Sequence, residues 1–226
     1  MIWSLLTQEP MLAVAWLAVI LISLTVHEFS HALAGKWLGD TTAEREGRLT
    51  LNPAAHIDPV GFLMLLFIGF GWAKPVPFSP FALKHPVRDS VLIALAGPAS
   101  NVALALVSGG LFATLVTTGV VSMTSLLAVF LVLLIYMNGV LAVFNIIPIP
   151  PLDGSKLLDA FFALTRQRAL AELFAKFGPV VLIALVLMSS GAGIRVFSFI
   201  SLPVAYFCSV IIGSTCTEVF LTALGG

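Results

Sequence analysis

A run of uncharged apolar residues near the N-terminus leads directly into a cluster of ionisable side chains. Residues 12–26 contain no Asp, Glu, Lys or Arg, and His27, Glu28 and His31 follow at once. With its flanks, this stretch is long enough to cross the hydrocarbon core of a bilayer as a helix. Ionisable groups inside such a helix are costly in lipid and usually serve a function. The segment therefore predicts a membrane helix that carries a polar site.

The composition of the whole chain agrees with a bilayer as its surroundings. Of its 226 residues, 59% are hydrophobic and 10% are charged, whereas globular domains contain about 25% charged residues. At roughly 20 apolar residues per span, we expect spans over residues 11–38, 90–121 and 125–147. A further apolar pair, residues 179–189 and 196–212, predicts either two spans or a hairpin.

A shorter apolar stretch over residues 57–72 is rich in glycine and is bounded by Pro59 and Pro75, which predicts a re-entrant segment. The expected fold is a mainly α-helical, polytopic membrane protein with about five or six transmembrane helices. We expect one domain over residues 1–226, with its core over residues 11–160 and a C-terminal helical hairpin over residues 179–213.

The basic residues predict an orientation in the membrane. Ten of the eleven fall on one side if the three N-terminal spans cross and the re-entrant segment returns to its starting face, and that side is then cytoplasmic. The ten are Lys36, Arg45, Arg48, Lys74, Lys84, Arg88, Lys156, Arg166, Arg168 and Lys176, and Arg195 lies opposite. A net charge of zero with no basic run excludes a nucleic-acid partner. We expect a multi-pass protein of the inner membrane.

His27 and His31 have the spacing of a metal-binding pair. On a helix they lie four positions apart on one face, where two imidazoles reach one tetrahedral Zn²⁺. Glu28 lies beside them and is placed to accept a proton from a water that the metal activates. His31 precedes Lys36 by five residues, which puts it about 7 Å below the cytoplasmic boundary. The alternative is that the two histidines only form hydrogen bonds inside a bundle.

A catalytic zinc takes three protein ligands and keeps one position open, so a third donor is required. Asp153 is the candidate, because it lies in a proline-rich run, residues 145–154, that begins at the cytoplasmic end of the 125–147 span. Irregular backbone at membrane depth is tolerated only where protein or a water-filled cavity covers it. Asp153 could instead cap a helix that starts near Ser155.

Four other polar residues have two interpretations each. We expect His56 and Asp58 to fix the turn into the re-entrant segment, and a fourth-ligand or inhibitory role for His56 is the alternative. Asn101 and Asn145 could bridge helices by hydrogen bonding. For Asn145, eight residues before Asp153, we also consider a catalytic role as a donor to the substrate carbonyl or the oxyanion.

Taken in order, these motifs resemble the site-2 protease family of intramembrane zinc metalloproteases over about residues 20–160. The resemblance rests on the H-E-x-x-H sequence and on residues 47–53, 71–77, 97–101 and 145–154. It implies that His27, His31 and Asp153 bind one Zn²⁺ and that Glu28 activates water. It also implies a small membrane-associated β-sheet over residues 45–51 and 72–79. The sequence departs from larger family members, and we expect a compact form without a PDZ-type gating domain.

The function implied is hydrolysis of peptide bonds within or near transmembrane segments, for regulated intramembrane proteolysis or signal-peptide clearance. The partners are then a transmembrane substrate and the lipid bilayer. Residues 72–80 suit an edge strand to which a substrate strand could add, because three prolines exclude a central position. A metal transporter and a non-catalytic scaffold are the alternatives.

Overall fold

Helices make up the architecture of the protein. A computed structural model describes residues 7–191, 197–213 and 216. The α-helices in this part of the chain are α1 Pro10–Trp37, α2 Thr42–Arg45, α3 Pro59–Ile68, α4 Pro86–Thr117, α5 Leu126–Asn145, α6 Ser155–Leu164, α7 Arg168–Gly191 and α8 Ser198–Ile212. Two 3₁₀ turns, Pro53–Ala55 and Pro80–Ala82, lie in the connections on either side of α3.

Four of the described helices are long and apolar enough to cross a membrane: α1, α4, α5 and the Arg168–Ser189 part of α7. The first three confirm the spans expected over residues 11–38, 90–121 and 125–147, although α4 starts four residues early, at Pro86. Helices α3 and α8 are apolar but shorter. The expected total of five or six spans is therefore not confirmed, and the single-domain organisation stays a prediction.

The core lies where α1, α4, α5 and α8 pack together. Small residues allow the close approach of α8: a Cβ on Gly139 would lie 3.1 Å from the ring of Phe207, and Gly109 faces Ile211. The buried apolar cluster contains members of all four helices, among them Val19, Ala105, Val132, Ile135 and Cys208. Three long helices and one short one thus form the frame that holds the polar site.

The C-terminal pair differs from the expected hairpin over residues 179–213. Helix α7 begins at Arg168, eleven residues before the expected start of the hairpin at residue 179. The charges at 168, 172 and 176 recur every four residues and share one face of the helix. The other residues of this segment are apolar. The ring of Phe197 lies 5.5 Å from that of Phe144, which places the start of α8 beside the end of α5. Arg195 lies outside the described residues.

The β-sheet expected over residues 45–51 and 72–79 is not found. The described residues contain no strand. An isolated antiparallel bridge between Ile57 and Ala73 stands in its place. Residues 45–51 form the end of α2 and the turns that follow it. Pro75, Pro77 and Pro80 remove backbone N–H groups that a ladder would need.

The stretch around α3 turns back on itself, as a re-entrant segment requires. Asp58 caps the helix by accepting the N–H of Gly61 at 2.8 Å, and Gly69 ends it in the left-handed region at a φ of 81°. Ten residues of helix span only about 15 Å. The N–H of Lys74 then donates to the His56 carbonyl at 2.8 Å, so both ends of the segment lie side by side.

Candidate metal centre

Helix α1 carries the two histidines into the interior of the bundle. His27 and His31 are 4% and 7% exposed, and they share one face of the helix because they lie one turn apart. Their Nε2 atoms are 3.0 Å apart. The predicted pair of donors is therefore buried and convergent.

The third predicted ligand reaches this pair from the turn between α5 and α6. Asp153 Oδ2 lies 3.2 Å from Nε2 of His27 and 3.4 Å from Nε2 of His31. The turn is closed by the Gly154 N–H, which donates to the Asn145 carbonyl at 2.7 Å. A Cβ on Gly154 would lie 2.7 Å from the Ile147 carbonyl oxygen and closer still to the preceding one, so the turn requires glycine at this position.

The alternative role of Asp153 as a helix cap does not hold. The cap residue of α6 is Gly154, and no side chain caps this helix end. Asp153 Oδ2 is instead buried without a hydrogen-bond partner in the part of the chain that the structure describes. Its oxygen faces the two imidazoles, which leaves it available to a cation.

In each histidine ring, the hydrogen bond at Nδ1 determines whether Nε2 carries a proton or a free lone pair. Nδ1 of His31 lies 2.7 Å from the Ile93 carbonyl, which accepts only, so this nitrogen carries the proton. Nδ1 of His27 lies 2.6 Å from Oδ1 of Asn101. With a proton on each Nδ1, both neutral rings direct a lone pair from Nε2 toward Asp153.

A buried amide chain fixes the orientation of Asn101. Nδ2 of Asn138 donates to the Leu134 carbonyl at 2.8 Å and to the Ser23 hydroxyl at 2.9 Å. The Asn138 Oδ1 therefore accepts from Nδ2 of Asn101 at 2.7 Å. The remaining oxygen of Asn101 is thus the atom that faces His27.

The donor set fits Zn²⁺. When both rings are neutral, two nitrogen lone pairs and a carboxylate oxygen lie 3.0–3.4 Å apart, an arrangement that repels unless a cation lies among them. Tetrahedral zinc with bonds of about 2.0–2.2 Å separates its ligands by about 3.3–3.6 Å. The carboxylates of Asp153 and Glu28 would balance the charge of the ion. Among the described residues, His27, His31 and Asp153 form the group able to hold a metal.

Glu28 follows His27 on α1 and is 9% exposed. Its Oε2 accepts the backbone N–H of Val76 at 3.1 Å. Residues 72–79 therefore pass over the candidate base and hold one of its oxygens. This contact explains how a carboxylate is accommodated in a helix that has no basic residue before Lys36.

Two other candidates are engaged elsewhere. The Asn145 amide nitrogen donates to the Leu141 carbonyl at 3.0 Å within α5, so a bond to substrate would require this one to break. His56 lies outside the metal-binding group and donates from Nε2 to the Thr50 carbonyl at 2.8 Å. This contact and the cap formed by Asp58 agree with the expected structural role of both residues at the turn.

Sequence reasoning missed Ser23, Asn138 and the role of Gly97. Ser23 and Asn138 are fully buried, and a polar residue within an otherwise apolar span was the available signal for each. A Cβ on Gly97 would lie 2.6 Å from Cε1 of His27 and closer still to the His31 ring. This glycine is what allows α4 to pass directly over the two candidate metal ligands.

Comparison with known proteins identifies the family. The sequence profile of peptidase family M50 matches residues 117–189, which include Asp153. The Bacillus subtilis (strain 168) protein named "Putative zinc metalloprotease YwhC" is 39% identical over 154 residues, 66% of this chain and 70% of that protein. The chain belongs to peptidase family M50, the site-2 protease family.

Two more distant members agree with this assignment. Proteins named "Putative zinc metalloprotease Rip2" are 34% identical in Mycolicibacterium smegmatis and 33% identical in Mycobacterium tuberculosis. Each alignment covers 67% of this chain but 58% of the relative. No solved structure matches the chain. As a member of family M50 the protein is a metalloprotease of the membrane, and its cofactor is Zn²⁺.

Proposed function

We propose that this protein hydrolyses peptide bonds within or near the transmembrane segments of membrane proteins, in regulated intramembrane proteolysis or signal-peptide clearance. One observation carries the proposal. Two histidines on a helix of membrane-spanning length, His27 and His31, direct their Nε2 atoms toward Oδ2 of Asp153, and Glu28 lies beside them on the same helix. The proposal includes an inner-membrane location with the site near the cytoplasmic face, and the distribution of basic residues supports that orientation.

The residues divide the chemistry between them. His27, His31 and Asp153 would hold the zinc, which supplies a Lewis acid when bound. Glu28 accepts a proton from the attacking water and returns it to the leaving amine. Because Val76 holds one carboxylate oxygen, the base has a fixed orientation. Asn145 begins the turn that carries Asp153, and release of its bond to Leu141 would free its amide for a substrate oxygen.

Residues 74–77 would meet the substrate as acceptors alone. The N–H groups of Lys74 and Val76 donate to the His56 carbonyl and to Glu28, while Pro75 and Pro77 have no N–H. Residues 74–77 therefore have no backbone donor to spare. A substrate segment that docks here would have to unwind and donate its own N–H groups to the carbonyls of residues 75–77, without forming a ladder.

Detergent-solubilised wild type and the Glu28→Gln variant test the proposal with a panel of single-span peptides. We expect wild type to cleave within the span and Glu28→Gln to lose about 10²-fold or more of the rate, because the base is gone. Both should hold about one zinc per chain, since Glu28 is not a proposed ligand. If both bind zinc and neither cleaves, the protein is a metal-binding scaffold.

A further inference from the structure

Helix α6 has an apolar stripe that no described residue covers. Leu157, Phe161 and Leu164 recur at i, i+4 and i+7, so they share one face of the helix, and all three are exposed. Away from this stripe, Phe162 is buried, and its ring lies 5.5 Å from that of Phe174 on α7. The helix therefore packs against the protein on one side and presents apolar side chains on the other.

The stripe lies at the depth where a membrane span begins. An apolar groove of about 570 Å³ runs between α4 and α6, and Val87, Val91 and Leu92 of α4 form its wall together with Leu157 and Leu164. The other residues of the wall are His85, Pro86, Arg88 and Ala160. Residues 86–92 are the first two turns of a helix of membrane-spanning length. The stripe therefore faces the boundary between lipid headgroups and acyl chains, where amphipathic helices bury their apolar side.

The turn that ends α6 holds an arginine where glycine is usual. The N–H of Arg166 donates to the Ala163 carbonyl at 3.4 Å. The N–H of Gln167 donates to the Phe162 carbonyl at 2.9 Å, and the two bonds close a Schellman motif. Arg166 has a φ of 58°, in the left-handed region, which costs an arginine more than a glycine. The turn alone does not explain the choice of arginine, and backbone strain of this kind is concentrated at functional sites.

Two exposed cations follow the stripe directly. Arg166 and Arg168 have no counter-ion among the described residues. The described ion pairs of lysine or arginine with an acid are Lys36–Glu44, Arg88–Asp89 and Lys156–Asp159. Glu172, one turn after Arg168 on α7, belongs to none of these pairs. Both guanidinium groups therefore keep their donors for an anion outside the protein, and a phosphate matches their geometry.

We propose that the apolar stripe and these two arginines, together the α6 surface, bind anionic phospholipid in the membrane leaflet at the metal-centre end of the bundle. Acyl chains cover the stripe, and the guanidinium groups bind lipid phosphates. A lipid is the occupant that fits, because the stripe is continuous with exposed apolar side chains of a membrane span and ends in unpaired positive charge. Helix α6 begins two residues after Asp153, so the bound leaflet also anchors the turn that carries this candidate ligand.

Fluorescence quenching in nanodiscs tests the lipid contact without requiring cleavage. A fluorescent amino acid replaces Leu164, a residue 79% exposed, in the full-length protein. The nanodiscs carry doxyl-labelled phosphatidylglycerol or doxyl-labelled phosphatidylcholine at equal mole fraction. Phosphatidylglycerol should be enriched about tenfold or more at the fluorophore, because each basic residue near an anionic surface strengthens lipid binding about fivefold. No quenching by either lipid, as for a face that binds a protein or lies in water, or equal quenching by both, would overturn the proposal.

Matched variants separate the charge of the arginines from their place in the turn. Glycine suits a φ of 58°, so Arg166→Gly should melt at the wild-type temperature or above, yet lose about fivefold of the preference for phosphatidylglycerol. Arg168→Gln should lose a similar factor. Arg45→Gln, at an exposed arginine on α2, should keep the wild-type preference. An unchanged preference in both Arg166→Gly and Arg168→Gln would show that these arginines bind no phosphate and would reject the α6 surface.

Discussion

The tautomer of His27 depends on a backbone carbonyl in a different helix. The Leu134 carbonyl accepts from Asn138, and this contact fixes in turn which atom of Asn101 faces Nδ1 of His27. Each hydrogen bond in the series has one allowed direction once the previous one is set. Asn138 is thus a positioning residue that acts through Asn101 on His27, a candidate metal ligand.

Replacing Asn138 by leucine should weaken zinc binding about 10- to 100-fold, because Asn101 loses the acceptor that orients its amide. Competition with a chelator measures the affinity. Asn145→Leu is the matched control on α5, since that amide contacts only the Leu141 carbonyl among the bonds described above. An Asn138→Leu protein with wild-type zinc affinity would show that the amide chain only packs the helices together.

Among single residues, the sequence predicted those whose spacing is fixed by the requirements of metal binding. His27, Glu28 and His31 followed from the helical repeat, and Asp153 from its depth and its motif. Asn138 could not be found in the same way. A lone asparagine in an apolar span indicates that a partner exists, but the partner here comes from another helix, and a single sequence does not show which helices touch.

At the scale of elements, the crossing of α4 over α1 depends on a missing side chain. Gly97 lies against the rings of both histidines, and an added methyl group would enter the space that they occupy. Pro98 follows directly within the helix. The separation of these two helices is therefore set at the metal centre itself.

Gly97→Ala should lower zinc affinity and the melting temperature, because α4 or the histidine rings must move. Gly110→Ala on the same helix has nothing within 4 Å of the added Cβ and should be neutral or slightly stabilising. Zinc titration and thermal unfolding of both variants provide the comparison. Equal behaviour of the two would mean that the helices reposition freely.

The long helices were predictable from apolar length alone, whereas the connections were not. The prolines of residues 75–80 favoured an edge strand in the sequence, yet the same missing N–H groups leave too few donors for any ladder. The continuation of α7 back to Arg168 was missed because the charges at 168, 172 and 176 lie outside an uninterrupted apolar run. Only their four-residue spacing shows that they lie on one helical face.

At the scale of the molecule, the frame predicts which side of the membrane each end faces. Lys36 near the end of α1 and Arg88 near the start of α4 lie at the same end of the bundle as the metal centre. The turn between α4 and α5, residues 118–125, has no basic residue. The positive-inside rule therefore predicts that the metal centre lies near the cytoplasm.

Cysteines introduced at two exposed positions test this orientation, in a background with Cys208 and Cys216 changed to alanine. Trp37→Cys, at a residue 77% exposed, should react with a membrane-impermeant maleimide only after the cells are permeabilised. Val120→Cys, at a residue 70% exposed, should react in intact cells. The reverse pattern would place the metal centre at the outer face.

The origin of the three proposed ligands has a consequence for how the protein is made. The two histidines lie on α1, but Asp153 follows α4 and α5 in the chain. During synthesis, the first span would enter the lipid with an unfinished zinc site and remain so until the ribosome has passed the third ligand. Proteolytic capacity would then arise late, in a nascent chain whose helical frame is already inserted, and a chain released before that point would be inert toward its neighbours.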